Sequence, residues 1–323
     1  MKVSVCMITF NQEAYIAQAI ESVMMQETNF DYELVIGEDY STDRTREICV
    51  EYGKKYPNKI RLILNERNLG PKANFIQTWF MCNGQYIAIL EGDDYWVASR
   101  KLQKQVDFLD SHPDYSICFT RTVCYDEDTG KEVSSLPPER YQKETLTIEE
   151  LLGCNFIPDC SVMYRKGLFK DFPNWYYSIE IGDWPIHLMN AKHGKIAYLD
   201  EAMATYRIHS TSYSANKNVV DQLHMTIEVY ELISPYLDYK YASLIRELIS
   251  GIYQTLAQIY HDKGKLAEAR RYSLKSLRRL PIMKYPSKRD FFGKTFLIFL
   301  KSLKVRTWWR RLRLHGKAKA VGK

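Results

Sequence analysis

Apolar and polar positions along the chain fall into blocks of two different periods. Val3–Thr9 is a continuous apolar run of strand length, as a strand buried on both faces requires. Residues 13–26 then place Ala14, Ala17, Ile20, Val23 and Met24 at helical spacing. Tyr32–Gly37 reads as a second strand, ending on Glu38-Asp39. Ser41 is the expected N-cap of a helix that runs to about Tyr56, where Pro57 stops it. Ile60–Leu64 is a third strand, and Gly70-Pro71 opens a helix to about Cys82 with proline at its first position. Gln85–Leu90 is a fourth, followed at once by Glu91-Gly92-Asp93-Asp94, and a helix fits 99–111. This alternation predicts an α/β fold: a doubly wound, mostly parallel sheet flanked by helices, binding ligands at the carboxyl ends of its strands.

Beyond residue 111 the pattern loosens into shorter strands at 115–120, 160–164, 195–199 and 202–208. One helix begins at Thr147 with a capping box, Thr147-x-x-Glu150, and another runs from about Asp183 to His193. From about 217 onward everything reads as helix. Within it, Leu256, Ala257, Tyr260, Gly264, Ala269 and Pro281 have the spacing of one tetratricopeptide-type hairpin. No second copy is visible, so the expectation is a packed α-helical C-terminal appendage rather than a peptide-binding array. The predicted division is a domain at 1–215, the appendage at 216–283 and a tail at 284–323.

Composition changes this picture in two ways. The 323 residues are 46% hydrophobic and 26% charged, which excludes a collagenous, low-complexity or wholly disordered chain. The formal net charge of +6 conceals a split: residues 284–323 hold 13 Lys and Arg against one acid, the preceding 283 hold 32 against 38. The body is mildly acidic, and no nucleic-acid partner is expected. No window offers the ~18–20 uninterrupted apolar residues of a spanning helix. Met1–Ile8 enters a strand directly, without a signal peptide's apolar core and cleavage site. The seven cysteines include no Cys-x-x-Cys pair and read as free core thiols in a reducing cytoplasm.

Candidate chemistry gathers after the predicted strands: Thr9-Phe10-Asn11, Glu38-Asp39, Asn68 to Asn74, and Glu91-Gly92-Asp93-Asp94. Each alone reads more readily as a solvated turn. Three acids within four positions, straight after a buried strand, suit a hard divalent cation that wants oxygen ligands. Such a cation bridges protein to a nucleoside diphosphate and neutralises its charge as it leaves. The histidines at 112, 187, 193, 224, 261 and 315 match no metal spacing and read as structural.

Taken together with Gly182-Asp183-Trp184 and Tyr206-Arg207-Ile208-His209, these pieces make the first ~215 residues resemble a family 2 glycosyltransferase of the GT-A fold. The resemblance rests on Val3 to Asn11, Glu38-Asp39-Tyr40-Ser41-Thr42-Asp43, Asn68-Leu69-Gly70 and Glu91-Gly92-Asp93-Asp94-Tyr95-Trp96, in order and in spacing. It implies that Thr9 and Asn11 line a nucleotide pocket, that Asp39 hydrogen-bonds the base, usually uracil, and that Glu91 lies near the ribose. It implies Asp93 as ligand to Mn2+ or Mg2+, Asp94 as co-ligand or support behind it, His209 as a metal or diphosphate contact, and Asp183 as general base. Three departures stand out. Glu91 occupies a place where Asp is commoner. Pro71-Lys72-Ala73-Asn74 lacks an Arg-Asn pair, leaving Lys72 either at the diphosphate or as a plain surface lysine. Gly182 replaces the acid before Asp183, with Glu180 as reserve base.

The implied activity is inverting transfer of a sugar from a nucleotide-sugar donor, expected to be UDP-linked, to a hydroxyl of a glycan or lipid-linked acceptor in surface polysaccharide synthesis. A nucleotidyltransferase would want a Gly-rich basic loop after the first strand, and Thr9-Phe10-Asn11-Gln12-Glu13 is neither. The other rival is a catalytically inactive interaction protein on the same fold, against which the intact Asp39, Asp93, Asp94 and Asp183 argue. In the 288–314 region Phe and Leu alternate with Lys, ending in Trp308-Trp309-Arg310-Arg311, a pattern suited to an anionic membrane surface at the inner face of the cell membrane. An amphipathic helix packed on the protein is the alternative.

Overall fold

The computed structural model describes residues 1–210 and 218–279. The chain divides into two compact units, with the boundary between residues 216 and 217. The first unit runs β1 (Val3–Thr9), α1 (Ile16–Met24), β2 (Tyr32–Glu38), α2 (Thr45–Lys55), β3 (Ile60–Leu64), α3 (Pro71–Met81), β4 (Tyr86–Ile89), β5 (Tyr95–Trp96) and α4 (Lys101–Ser111). It continues with β6 (Tyr115–Asp126), β7 (Lys131–Leu136), β8 (Thr145–Leu146), α5 (Ile148–Gly153), β9 (Met163–Arg165), α6 (Asp183–Ala191) and β10 (Lys195–Ile208). All ten strands join one sheet in the order β3-β2-β1-β4-β9-β6-β10-β5, with β7 beside β6 and β8 beside β10.

β3, β2, β1 and β4 run parallel, as do β6 and β10. β9 enters antiparallel between β4 and β6, and β5, β7 and β8 are antiparallel too. The continuous apolar run of β1 follows from its place: Val3, Val5 and Met7 are fully buried, and α1 adds Ile16, Ile20 and Val23 to the same core. The chain steps outward from β1 to β3, then jumps back to lay β4 on the other side of β1. The reversal opens a crevice outside the carboxyl ends of β1 and β4, where sheets of this kind bind ligands.

Several boundaries differ from expectation for local reasons. α2 begins at Thr45, not after Ser41, because Asp43 Oδ1 takes the Thr45 N–H (2.9 Å) while Ser41 Oγ receives the Asn11 N–H (3.0 Å). The two strands expected at 195–199 and 202–208 are one, β10, whose register against β6 shifts between Leu199 and Ala202. The strand expected at 160–164 shortens to β9 because Asp159–Ser161 coil into a 3-10 turn. β6 extends to Asp126 to pair with β7, whose largely exposed positions show no apolar alternation. The capping box is present: Thr147 Oγ1 receives the Glu150 N–H at 3.4 Å, and Glu150 Oε2 receives the Thr147 N–H at 3.0 Å.

The second unit contains α7 (Val219–Tyr236), α8 (Ala242–Asp262) and α9 (Leu266–Arg279). α8 and α9 form a hairpin that turns at Gly264, whose φ of +73° is the left-handed value glycine adopts freely. Leu256, Ala257 and Ala269 are buried there, Tyr260 stacks on Tyr272, and the Ser250 and Ser276 hydroxyls meet at 3.0 Å. The tail at 284–323, including the 288–314 stretch, lies outside the described residues. Among the described residues no helix is long and apolar enough to cross a membrane.

Candidate active site

The site starts at the end of β1. Thr9 Oγ1 donates to Gln12 Oε1 at 2.8 Å, and the Glu91–Asp94 loop sits directly on this pair. A Cβ at Gly92 would lie 2.4 Å from Gln12 Oε1 and 2.8 Å from Thr9 Oγ1, so only glycine lets the acidic loop approach β1 so closely. Asn11 holds a left-handed backbone (φ +51°), and its Oδ1 accepts the Thr42 N–H at 2.8 Å, tying the loop after β1 to the loop after β2.

Asp39 is buried just beyond β2. Its Oδ1 accepts from Asn65 Nδ2 (2.9 Å) and the Leu69 N–H (2.8 Å), and its Oδ2 from the Gly70 N–H (2.9 Å). Glu38 beside it is also buried, accepting the Ser41 N–H at 2.6 Å and pairing with Arg46. This corner is closed by the chain's own donors.

The acidic loop is different. Glu91 Oε2 is buried and has no hydrogen-bond partner. Burial, then the charges of Asp93 and Asp183, push its carboxyl up to about 8. Asp93 Oδ2 lies 3.2 Å from His209 Nε2. β10 makes this meeting possible by pairing antiparallel with β5, the two residues that directly follow the loop. Asp94 turns inward: its Oδ1 accepts the Arg207 N–H at 2.8 Å, and burial followed by Asp93 and Glu91 pushes its carboxyl well up. The Arg207 N–H thus occupies one of its oxygens. Arg207 locks the same loop from its other side. Its guanidinium donates to the Asp93 carbonyl (2.7 Å) and pairs with Glu127, between the rings of Tyr15 and Tyr95.

Asp183 opens α6, and its Oδ2 accepts from Asn155 Nδ2 at 2.7 Å. Its charge reaches Glu91. Lys72 is half-buried rather than a plain surface lysine: Nζ donates to the Ile181 carbonyl at 2.8 Å and lies 4.1 Å from the Tyr176 ring centre. It thus ties the start of α3 to the segment leading into Asp183.

The structure brings Thr9, Glu91, Asp93, Asp94 and His209 together, with Asp183 within electrostatic reach. It leaves Asn11 and Asp39 in loops bound by their own neighbours. Two contributors have no role of their own in the sequence reading. Arg207, quoted there only within the Tyr206–His209 stretch, lies near the end of β10 and is buried like His209 two positions on. Asn155 lies in a segment without regular structure, where no periodicity singles it out.

Among the described residues no three His, Cys, Asp or Glu side chains gather to hold a cation by themselves. The Asp93–His209 pair and the orphaned Glu91 oxygen nonetheless fit a hard divalent ion of the kind completed by phosphate oxygens and water.

Comparison with known proteins follows the same lines. The profile described as Glycosyl transferase family 2 matches residues 4–172. An uncharacterised protein of Mycobacterium tuberculosis is 40% identical over 208 residues, which cover 64% of this chain and 59% of that relative's length. The solved structure of S. aureus TarS 1–349 in complex with UDP-GlcNAc superposes with a TM-score of 0.65 at 18% identity, covering 95% of this chain and 92% of that one. The mannosyltransferase PcManGT of Pyrobaculum calidifontis, in complex with GDP-Man and Mn2+, gives 0.54 at 14% identity over 95% and 87%. These likenesses establish a shared GT-A fold.

Proposed function

The chain belongs to glycosyltransferase family 2, and on that premise we propose that residues 1–215 catalyse inverting transfer of a sugar from a UDP-linked donor to an acceptor hydroxyl. The observation that carries the proposal is the unbalanced acidic loop at the crevice: Glu91 with an orphaned oxygen, Asp93 facing His209, and Asp183 within electrostatic reach of Glu91. Thr9 and Asn11 shape the nucleotide pocket. Asp39 has spent three of a carboxylate's roughly four acceptor positions on its own chain, and the fourth takes a base N–H. Glu91 receives a ribose hydroxyl. Asp93 and His209 hold Mn2+ or Mg2+, with Asp94 behind them. The ion's chemistry is that of a Lewis acid offsetting charge on the departing diphosphate. Lys72 orders the segment before Asp183 and adds positive charge beside it.

Asp183 accepts the acceptor's proton as the new carbon–oxygen bond forms. The bond to the diphosphate breaks from the opposite face, and its electron pair leaves with the phosphate oxygen. Asn155 orients the carboxylate at the start of α6. The fold likeness to a structure holding UDP-GlcNAc supports the donor class. A glycan or lipid-linked acceptor, and peripheral placement at the cytoplasmic face of the membrane through the basic 288–314 region, rest on the sequence pattern. The helical unit at 216–283 is a packed appendage in this reading.

A panel of nucleotide sugars with Mn2+, scored by nucleoside diphosphate release and thermal stabilisation, tests the activity. Stabilisation by UDP-sugars with turnover is expected; neither response to any donor would end the proposal. Deleting residues 288–323 is expected to leave folded protein with reduced binding to anionic liposomes, each engaged Lys or Arg contributing about 1 kcal/mol. Unchanged binding after deletion would favour the packed-helix alternative.

A further inference from the structure

Next to the acidic loop lies a chain of buried polar groups that the transfer described above leaves unused. The Tyr164 hydroxyl meets His187 Nδ1, and His187 Nε2 faces Asp159 Oδ1 at 3.5 Å. His187 is fully buried, and its Nε2 makes no hydrogen bond of ordinary geometry. The Tyr164 phenol is buried beside the charges of Asp159 and Asp183, which keep it protonated. Its O–H therefore donates to Nδ1, which places the ring's own hydrogen on Nε2, in the neighbourhood of the Ile157 carbonyl and, at 3.5 Å, of Asp159 Oδ1. Burial pushes His187 down to about 4, so the ring serves as a neutral donor.

Asp159 is short of partners. Its side chain is 29% exposed, and among the described residues the long contact to His187 is its one ion-pair neighbour. Burial, then the charges of Glu91, Asp183 and Asp94, push its carboxyl up, with Lys72 opposing. A carboxylate in that position has room for about three more donors. A ligand rich in hydroxyls and free of charge would supply them, and a sugar ring is such a ligand.

The topology puts Asp159 where that ring belongs. The residue opens the short turn leading into β9, and β9 pairs with β4, which leads into the acidic loop. Four positions earlier, Asn155 holds Asp183. The 155–159 segment thus runs between the diphosphate side of the site and its base. We propose that Asp159, held by His187 and Tyr164, hydrogen-bonds a ring hydroxyl of the transferred sugar and thereby selects the donor, an assignment that rests on the nucleotide-sugar reading above.

The test is a binding comparison on the full chain with Mn2+, using calorimetry with UDP, UDP-glucose, UDP-galactose, UDP-N-acetylglucosamine and UDP-N-acetylgalactosamine. The readout is how much tighter the preferred UDP-sugar binds than its epimer, with UDP alone as reference. Asp159→Ala is expected to cut that preference by about 10- to 30-fold, because a site built to hydrogen-bond a hydroxyl discriminates through that bond. UDP affinity should stay within about 2-fold, since the discrimination comes from the sugar contact and UDP carries no sugar. Asp159→Asn keeps the shape and one acceptor oxygen and should restore part of the preference, which a merely structural role would not do. His187→Leu should weaken the same preference by a smaller factor. Unchanged preference in an Asp159→Ala protein that binds UDP like the wild type would overturn the assignment. Wild-type protein that binds neither UDP nor any UDP-sugar would instead sink the nucleotide-sugar reading, and this assignment with it.

Discussion

Two buried carboxylates follow parallel strands of this sheet, and the chain treats them in opposite ways. Asp39, beyond β2, receives the side-chain N–H of Asn65 and the backbone N–H groups of Leu69 and Gly70. Glu91, beyond β4, keeps a buried oxygen without any partner, beside Asp93. A buried acceptor left unsatisfied costs about 1–3 kcal/mol, and the loop at 65–70 shows that this chain can avoid that cost. The first corner is largely satisfied before any ligand arrives, with three of Asp39's roughly four acceptor positions filled by the chain itself. The second carries strain that a hydroxyl-bearing, cation-linked ligand would relieve, as functional sites often do.

The largest expected effects come from breaking the open half. Asp93→Ala removes the carboxylate that faces His209, and turnover is expected to fall about 1,000-fold or more with the fold retained. Excess chelator should abolish transfer in the wild type, and Mn2+ or Mg2+ should restore it. Full activity in chelator would remove the metal from the account. Next comes Asp183→Asn, which preserves shape and the Asn155 contact while removing basicity. Turnover should drop ~100-fold with donor affinity nearly unchanged. If Asp183→Asn kept its rate while Glu180→Gln lost it, the base would move to Glu180.

The contrast between the corners also explains what could be read from the sequence. β1, β2 and β4 are legible because strands buried on both faces are mostly apolar, and the loops carrying Thr9, Glu91 and Asp93 follow from where such strands end. β10 was split in two because a register shift between Leu199 and Ala202 breaks the pattern without breaking the strand. Ser41 reads as a cap because sequence shows which residues can cap, not which competing donor reaches them first. Asp159 and Asn155 act through tertiary neighbours, His187 and Asp183, that are 28 residues away in each case. His187 itself reads as structural, and only its burial against Asp159 gives it a task.

On the closed side, Asp39→Asn would set an amide N–H against donors that now meet a carboxylate. The free protein is expected to lose about 1–3 kcal/mol in denaturant unfolding. UDP affinity should weaken by about 10-fold as the 65–70 loop loosens, since about 1.4 kcal/mol is a factor of ten. An unchanged melting point with weakened UDP binding would mean that Asp39 serves the base alone and that the corner is less closed than its hydrogen bonds suggest. A stability loss without any change in UDP affinity would make it scaffold alone.

The smallest effect separates retained strain from mere burial of charge. Lys101 is fully buried, donates to Gln105 Oε1 at 2.7 Å and lies 4.3 Å from the Trp96 ring centre. Burial pushes its amine down to about 7, and no carboxylate appears among the charges acting on it. In the unfolded chain a lysine holds its proton up to about pH 10.4. Between the two values the unfolded state binds more protons, so the contribution of Lys101 to stability should rise from pH 7 to pH 10 and be lowest below pH 7. Lys101→Met removes the titration but leaves Gln105 Oε1 without its donor, which returns about 1 kcal/mol of the gain. The variant should therefore be more stable than wild type by about 1–2 kcal/mol near pH 6, with the advantage vanishing or reversing by pH 10. Turnover should change by less than about 3-fold, the level expected of a substitution that leaves transition-state contacts alone. A pH-independent difference in unfolding free energy would show that Lys101 is charged at no cost, with Gln105 and Trp96 sufficing as its partners. Buried charge without a counter-ion would then be no guide to ligand sites in this fold, and the case for Glu91 would rest on its missing hydrogen bond alone.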